Sequence, residues 1–276
     1  MRAESANRDR SVLRPNFTVA AIVQARMGSS RLPGKVLMEA VGKPLLGYLL
    51  ERLSAARTID RIVVATSVNP GDEPIVEFCR AVGIDVFRGS EHDVLDRYYQ
   101  AARQFGIDLI VRITADCPLV DPLIVDTMVD FALPRAALYD LVTNRHPLTY
   151  PDGLDVDVIP LASLQDAWLH ADTPAQREHT IPYFWERGRR VHNVEHVPDL
   201  FYQHRWTLDY AEDYRLIRRI LTGLYRPGHV FHMAEILEYI SHHPWLPMIN
   251  AKHLPRREEA IDPALTPLRT GLGGNR

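Results

Sequence analysis

The chain has 276 residues, 46% of them hydrophobic, with 35 acidic and 32 basic side chains and a formal net charge of -3. That balance excludes a global basic field for nonspecific nucleic-acid binding, so an anionic substrate must be met by local cations. Two cysteines, Cys79 and Cys117, cannot build a disulfide framework and suit a cytoplasmic protein, and no apolar run approaches the ~18 residues that suggest membrane insertion.

Residues 1–16 are polar, mixed in charge and without the apolar core of a signal peptide. They predict a flexible extension ahead of one α/β domain over 17–250, with a flexible tail over 251–276. Residues 18–24, rich in Val, Ile and Ala, predict a buried strand. The loop that follows, Gln24-Ala25-Arg26-Met27-Gly28-Ser29-Ser30-Arg31-Leu32-Pro33-Gly34-Lys35, is too rich in Gly, Ser and Pro for helix. It can turn several backbone N–H groups and three cations toward one point, as the phosphates of a nucleoside triphosphate require. It is not a Walker A loop: five residues rather than four separate Gly28 from Gly34, and Val36 replaces the metal-binding hydroxyl. The alternative is a solvated connection, but three cations on so short a loop serve no evident packing purpose.

Alternation continues with a helix over 44–56, a strand over 61–66, a helix over 73–82 and a strand over 85–88. A helix over 94–105, a strand over 108–113, a turn at 114–118 and a helix over 122–133 follow. Strands and helices in this rhythm predict an α/β fold with a parallel sheet covered on both faces. Ligands of such sheets sit beyond the carboxyl ends of the strands, where the basic loop, Thr66-Ser67 and the 114–118 turn all fall. In that turn Pro118 keeps Cys117 out of helical geometry, so Asp116 is either a magnesium ligand or the head of an Asx-turn.

The second half is less regular. Residues 154–159 alternate as a half-exposed strand, 161–171 and 175–185 read as helices, and 191–196 and 205–208 as strands. Helices over 215–224 and 233–240 close the chain, and strand directions here are mixed. Asp209 with Glu212 forms a capping box for the helix ending at Leu224, yet the same carboxylate can share a magnesium ion with Asp116.

Arg145, His146, Tyr150, Asp152, Asp155, Glu178, His179 and Arg205 bunch polar groups into an acceptor pocket. Arg145 or Arg205 suits an acceptor carboxylate or phosphate, Asp155 or Glu178 suits hydroxyls, and His179 can assist deprotonation. His192 with His196, His229 with His232, and His242-His243 lack a Cys or Glu at motif spacing and read as scattered surface groups. Cys117 has no activating base in view and reads as a structural thiol.

The loop 24–35, the segment 87–98, the turn 112–118 and Tyr150-Pro151-Asp152-Gly153-Leu154-Asp155 resemble the cytidylyltransferase family, over about residues 18–221. The branch they most resemble is the spore-coat-polysaccharide type, related to the synthetases of CMP-activated sialic acid and CMP-activated 3-deoxy-octulosonate. The resemblance implies a nucleotide-diphosphosugar-transferase-like three-layer sandwich with a mostly parallel, mixed central sheet. It implies CTP as donor, Mg²⁺ as cofactor, a small anionic or sugar-like acceptor such as a sugar acid, and a homodimer. Phosphate-binding positions fall on Arg26, Ser29, Arg31 and Lys35, and metal-binding aspartates on Asp116 and Asp209. Base and ribose contacts fall on Ala25, Thr66 or Ser67, and Arg112 to Thr114. The implied reaction moves CMP to an acceptor oxygen and releases pyrophosphate, with Arg26, Lys35 and Asp116 catalytic. Two rivals remain: a glycosyltransferase of similar fold, whose Asp-x-Asp would be Asp155-Val156-Asp157, and a nucleotide-binding scaffold without catalysis.

Overall fold

The computed structural model describes residues 17–255. The expected extension over 1–16 and, of the expected tail over 251–276, residues 256–276 lie outside the described residues, while Ala251–His253 form a short 3-10 turn. The first strand, β1 (Val19–Gln24), shows why the sheet is sandwiched: Val19, Ala21 and Val23 enter one apolar core, and Ala20 and Ile22 enter the other. A strand with two buried faces has no use for polar alternation.

A small hairpin, β2 (Glu39–Ala40) and β3 (Lys43–Pro44), leads into α1 (Leu45–Ser54). The next elements are β4 (Arg61–Ser67), α2 (Glu73–Ala81), β5 (Asp85–Gly89), α3 (Val94–Gln104), β6 (Leu109–Thr114) and α4 (Pro122–Ala132). After them come β7 (Leu141–Thr143), β8 (Asp157–Pro160), α5 (Leu161–His170), α6 (Pro174–His179), α7 (Pro182–Glu186) and β9 (Val191–Asn193). Two helices finish the described chain, α8 (Ala211–Leu224) and α9 (Met233–His242). None of these helices is long and apolar enough to cross a membrane.

The main sheet has the order β5-β4-β1-β6-β8-β7-β9. Its first four strands are parallel, β8 runs against both β6 and β7, and β9 is parallel to β7. Side chains of α1, α4, α8 and α9 fill one core, and those of α3, α5 and α7 fill the other. The result is a three-layer α/β sandwich with a mostly parallel, mixed sheet.

Three expectations in the second half need correction. Residues 154–159 are not a half-exposed strand: only Asp157–Pro160 pairs, and Leu154, Val156, Val158 and Ile159 are all buried. The polar alternation at Asp157 is instead a buried ion pair, because Arg112 lies opposite it in the β6–β8 register, 2.9 Å away. The single helix expected over 175–185 is broken into α6 and α7, with Thr180 at φ 66 between them and Pro182 opening the second. Residues 205–208 form no strand; Arg205 makes one isolated bridge to Asp152.

Candidate active site

The basic loop is held in shape by carboxylate and carbonyl acceptors beneath it. Ala25 N–H extends the sheet by donating to the Ala65 carbonyl at 3.1 Å. Asp72 takes the Met27 N–H at 2.7 Å on one oxygen and the Ser67 hydroxyl at 2.5 Å on the other. The Met27 carbonyl then accepts both the Ser29 and the Gly34 N–H, each at 3.0 Å, which folds the loop back on itself. Gly34 turns the chain at φ 70, a left-handed conformation that favours glycine, and delivers Lys35 to the cavity.

Lys35 is the hub. Its Nζ donates to Asp116 Oδ2 at 3.0 Å, Asp209 Oδ1 at 2.9 Å and the Leu208 carbonyl at 2.6 Å. The backbone stitches the same elements together, since Leu208 N–H donates to the Asp116 carbonyl at 2.8 Å. Asp209 also meets Arg31 at 2.8 Å and Arg205 at 2.9 Å. Burial would raise the Asp209 pKa, but the hydrogen bonds from Arg31 and Lys35 outweigh it and hold the carboxyl at about 2. Burial likewise opposes the charge on Lys35, yet Asp116 and Asp209 keep its pKa above the ordinary lysine value.

Asp209 is free to face the cavity because it does not cap α8. The expected Asp209–Glu212 capping box is displaced by one residue: Asp213 Oδ2 accepts the N–H of Asp209 at 3.0 Å and of Tyr210 at 2.9 Å. Asp213 is fully buried and is also held by Arg205 and Asn250.

One cavity of about 500 Å³ opens at this end of the sheet. Arg26, Ser29, Arg31, Lys35, Arg112, Thr114, Asp116, Arg145, Asp155, Glu178, His179, Arg205 and Asp209 all line it. Arg26 is exposed and makes no ion pair or hydrogen bond among the described residues, unlike Arg31. Arg112 reaches the wall, but its guanidinium is committed to Asp157 and lies over the Tyr98 ring.

Ala25, Thr66, Ser67 and Tyr150 do not line the cavity. Ala25, Thr66 and Ser67 are buried under the loop, and Ser67 acts on it at one remove through Asp72. Tyr150 packs against His196, with ring centroids 5.2 Å apart. Gln24, Ser30 and Thr207 line the cavity without having been singled out in the sequence. For Gln24 the signal was present, since it ends β1 at the mouth of the sheet. A smaller cavity of about 350 Å³ shares Arg26 and Glu178 and is walled by Ser90, Glu91, His92 and Asp93.

The far wall is rich in carboxylates. Asp152 pairs with Arg205 at 2.6 Å and Asp155 with Arg145 at 3.0 Å. Burial, with the neighbouring Asp155, pushes the Asp152 carboxyl up to about 7. Burial also raises Asp155, against the pull of Arg145. Cys117, buried beside Asp116, has its thiol pKa raised by desolvation, which suits a structural role rather than a nucleophile.

Asp116 and Asp209 are the carboxylates that a Mg²⁺ ion would need at this cavity. Asp116 and Asp209 each give one oxygen to Lys35 Nζ, and of the remaining oxygens Asp116 Oδ1 has, among the described residues, only the Cys117 thiol near it at 3.8 Å. No group of three or more His, Cys, Asp or Glu able to hold an ion occurs among the described residues. Two carboxylates supplemented by phosphate oxygens and water is the habit of Mg²⁺ rather than of zinc or calcium.

The cytidylyltransferase family model matches residues 20–204. The spore coat polysaccharide biosynthesis protein SpsF of Bacillus subtilis is 34% identical over 210 residues, covering 72% of this chain and 84% of that protein. The 3-deoxy-manno-octulosonate cytidylyltransferase of Trichlorobacter lovleyi is 32% identical over 205 residues, covering 70% of this chain and 78% of its own. Among solved structures, a cytidylyltransferase from Leptospira borgpetersenii serovar Hardjo-bovis superposes with a TM-score of 0.79 at 33% identity, over 84% of this chain and 97% of that one. The chain therefore belongs to the cytidylyltransferase family, as a CTP-dependent nucleotidyltransferase.

Proposed function

We propose that this protein transfers CMP from CTP to a hydroxyl of a sugar acid or related sugar-like acceptor, releasing pyrophosphate, in surface-polysaccharide or glycan assembly. The supporting observation is the convergence of Lys35, Asp116 and Asp209 in a cavity whose near wall carries Arg26 and Arg31. The acceptor oxygen bonds to the α-phosphorus, the α–β phosphoanhydride bond breaks, and the hydroxyl proton passes to His179 or to solvent. Transfer of this kind relies on alignment and charge stabilisation more than on covalent help. Arg26, Arg31 and Ser29 hold the β- and γ-phosphates, and Lys35 supplies positive charge where the leaving group develops its own. Asp116 and Asp209 would hold Mg²⁺, which when bound neutralises phosphate oxygens. The same reading takes the protein as a cytoplasmic homodimer acting on small molecules, not on nucleic acid.

The glycosyltransferase alternative needs an available Asp-x-Asp. Asp157 is buried and engaged by Arg112 at 2.9 Å and by the Thr143 hydroxyl at 2.6 Å, so it offers no such site. The test is a pyrophosphate-release screen of the four nucleoside triphosphates against sugar acids, amino sugars and phosphorylated acceptors. CTP-dependent release with one acceptor supports the proposal; release with UTP or ATP instead would replace the donor. Turnover of a nucleotide-sugar without pyrophosphate would support the rival.

A further inference from the structure

Arg26 and Arg31 share the near wall of the cavity, but they are held differently. Arg26 has no ion-pair or hydrogen-bond partner among the described residues. Arg31 meets Asp209 at 2.8 Å and lies over the ring of the next residue, Tyr210, its guanidinium carbon 5.1 Å from the ring centre. Half of the Arg31 side chain is exposed, so without those two contacts it would be spread over many rotamers.

The Tyr210 ring is itself braced by a distant part of the chain. The His253 imidazole stacks on it with centroids 3.8 Å apart and planes within 1° of parallel. His253 ends the turn Ala251–His253, and its Nε2 lies 3.3 Å from Glu212 Oε2. Lys252 reaches the other oxygen of Glu212 at 3.1 Å. Asn250 anchors the turn, because its buried amide donates to the Arg205 carbonyl at 2.9 Å and to Asp213 Oδ1 at 2.8 Å. Asp213 also accepts the Tyr210 N–H at 2.9 Å, so the turn reaches Tyr210 through its backbone as well as its ring.

A guanidinium held only by a carboxylate can still rock about that contact. A flat ring under it sets its plane, through cation–π attraction and stacking. A second ring packed on the first leaves the first no room to swing toward it. Packing alone would explain a stacked pair anywhere on the surface. Here the stacked ring is the one on which Arg31 rests, and it follows directly on the carboxylate that Arg31 grips.

We propose that His253 is a positioning residue for the donor triphosphate: by stacking on Tyr210 it fixes the ring that sets Arg31 toward the β- and γ-phosphates. This rests on the phosphate reading of the basic loop and extends the nucleotide site to the end of the described chain.

The test titrates the full chain, with Mg²⁺ and no acceptor, with CTP by calorimetry, and with CMP by competition against CTP. CMP has no β- or γ-phosphate. Arg31→Ala should weaken CTP about tenfold, the loss of a charge-assisted contact. His253→Ala should lower the CTP-to-CMP affinity ratio about threefold, the size of one cation–π contact at a half-exposed arginine. His253→Phe, which keeps a flat ring, should restore the ratio. With Arg31 already replaced by alanine, His253→Ala should not change the ratio further. Should His253→Ala fail to fold, His253→Leu is read in its place. A ratio that falls less than twofold, falls equally in His253→Phe, or falls as far in the Arg31→Ala background would overturn the proposal with the phosphate reading intact. Failure of the unmutated protein to bind CTP, or full CTP affinity in Arg31→Ala, would instead overturn that reading, and this proposal with it.

Discussion

Lys35 and Asp209 lie 174 residues apart in the chain and 2.9 Å apart in space, and the same ammonium reaches Asp116 at 3.0 Å. One cation thus ties the loop after β1 to the turn after β6 and to the start of α8. Replacing Lys35 with alanine should cut turnover by two to three decades, equivalent to ~2.7–4 kcal/mol of barrier. Steady-state pyrophosphate release measures the loss, and an unchanged circular dichroism spectrum shows that folding is not the cause.

Asp116 carries the expectation about metal. A chelator should abolish CTP-dependent pyrophosphate release, and added Mg²⁺ should restore it. In Asp116→Asn, Mn²⁺ binding followed by electron paramagnetic resonance should weaken at least about tenfold, in line with losing one of two protein ligands. Wild-type Mn²⁺ affinity in that variant would remove Asp116 from the metal site.

Arg26 separates binding from stability. It has no partner among the described residues, so Arg26→Ala should leave the denaturant midpoint within the equivalent of about 0.5 kcal/mol. Its CTP affinity by calorimetry should nevertheless fall about tenfold, the loss of one charge-assisted contact to phosphate. A destabilised variant with normal affinity would contradict both halves.

Gly153 sits where two chain segments touch. Its φ is 106, and a Cβ there would stand 2.5 Å from the Thr207 nitrogen and 2.6 Å from the Trp206 carbonyl carbon. Those atoms are backbone and cannot swing aside. Gly153→Ala should therefore cost about 2–3 kcal/mol in chemical denaturation and lower turnover by prying Asp152 away from Arg205.

The raised Asp152 carboxyl makes stability depend on pH. Unfolded, it loses its proton near 3.8; folded, it keeps the proton to about 7. The native state binds more protons across that window, so this group's contribution to stability is full below it and is lost as pH rises through it. Urea denaturation of Asp152→Asn should lack that part of the decline, so the variant gains on the wild type as the pH rises. A parallel pair of stability curves would show that Asp152 titrates normally.

The first half of the fold was legible because its physics is local. Buried parallel strands leave unbroken apolar runs, and helices between them stop at Gly83 and Gly106, both at positive φ. Residues 205–208 misled because they alternate like a strand, but their partners are the Asp152 backbone and the Asp116 carbonyl rather than a sheet. Two capping registers, Asp209–Glu212 and Tyr210–Asp213, compete within one residue of each other. The choice falls to Asp213 because Arg205 and Asn250 also hold it, and those partners are fixed only by the tertiary fold.

At the cavity, the loop cations and Asp116 could be placed from chain order alone, since each follows a central strand. The pairing of Arg145 with Asp155 and of Arg205 with Asp152 could not, because oppositely charged side chains carry no mark of whether they face each other or a ligand. Ser67 shows the same gap at shorter range: its hydroxyl turns down to Asp72 instead of up into the cavity.

The reversed direction of β8 has an evolutionary corollary. Because that strand runs away from the mouth, residues 144–156 arrive there as irregular chain, while the opposite wall is built from strand ends that the central sheet fixes rigidly. Substitutions in the irregular stretch can remodel one wall without shifting the other, as loops on a rigid scaffold generally allow. Descendants of a common ancestor could therefore diversify in what they modify while keeping the same activated donor.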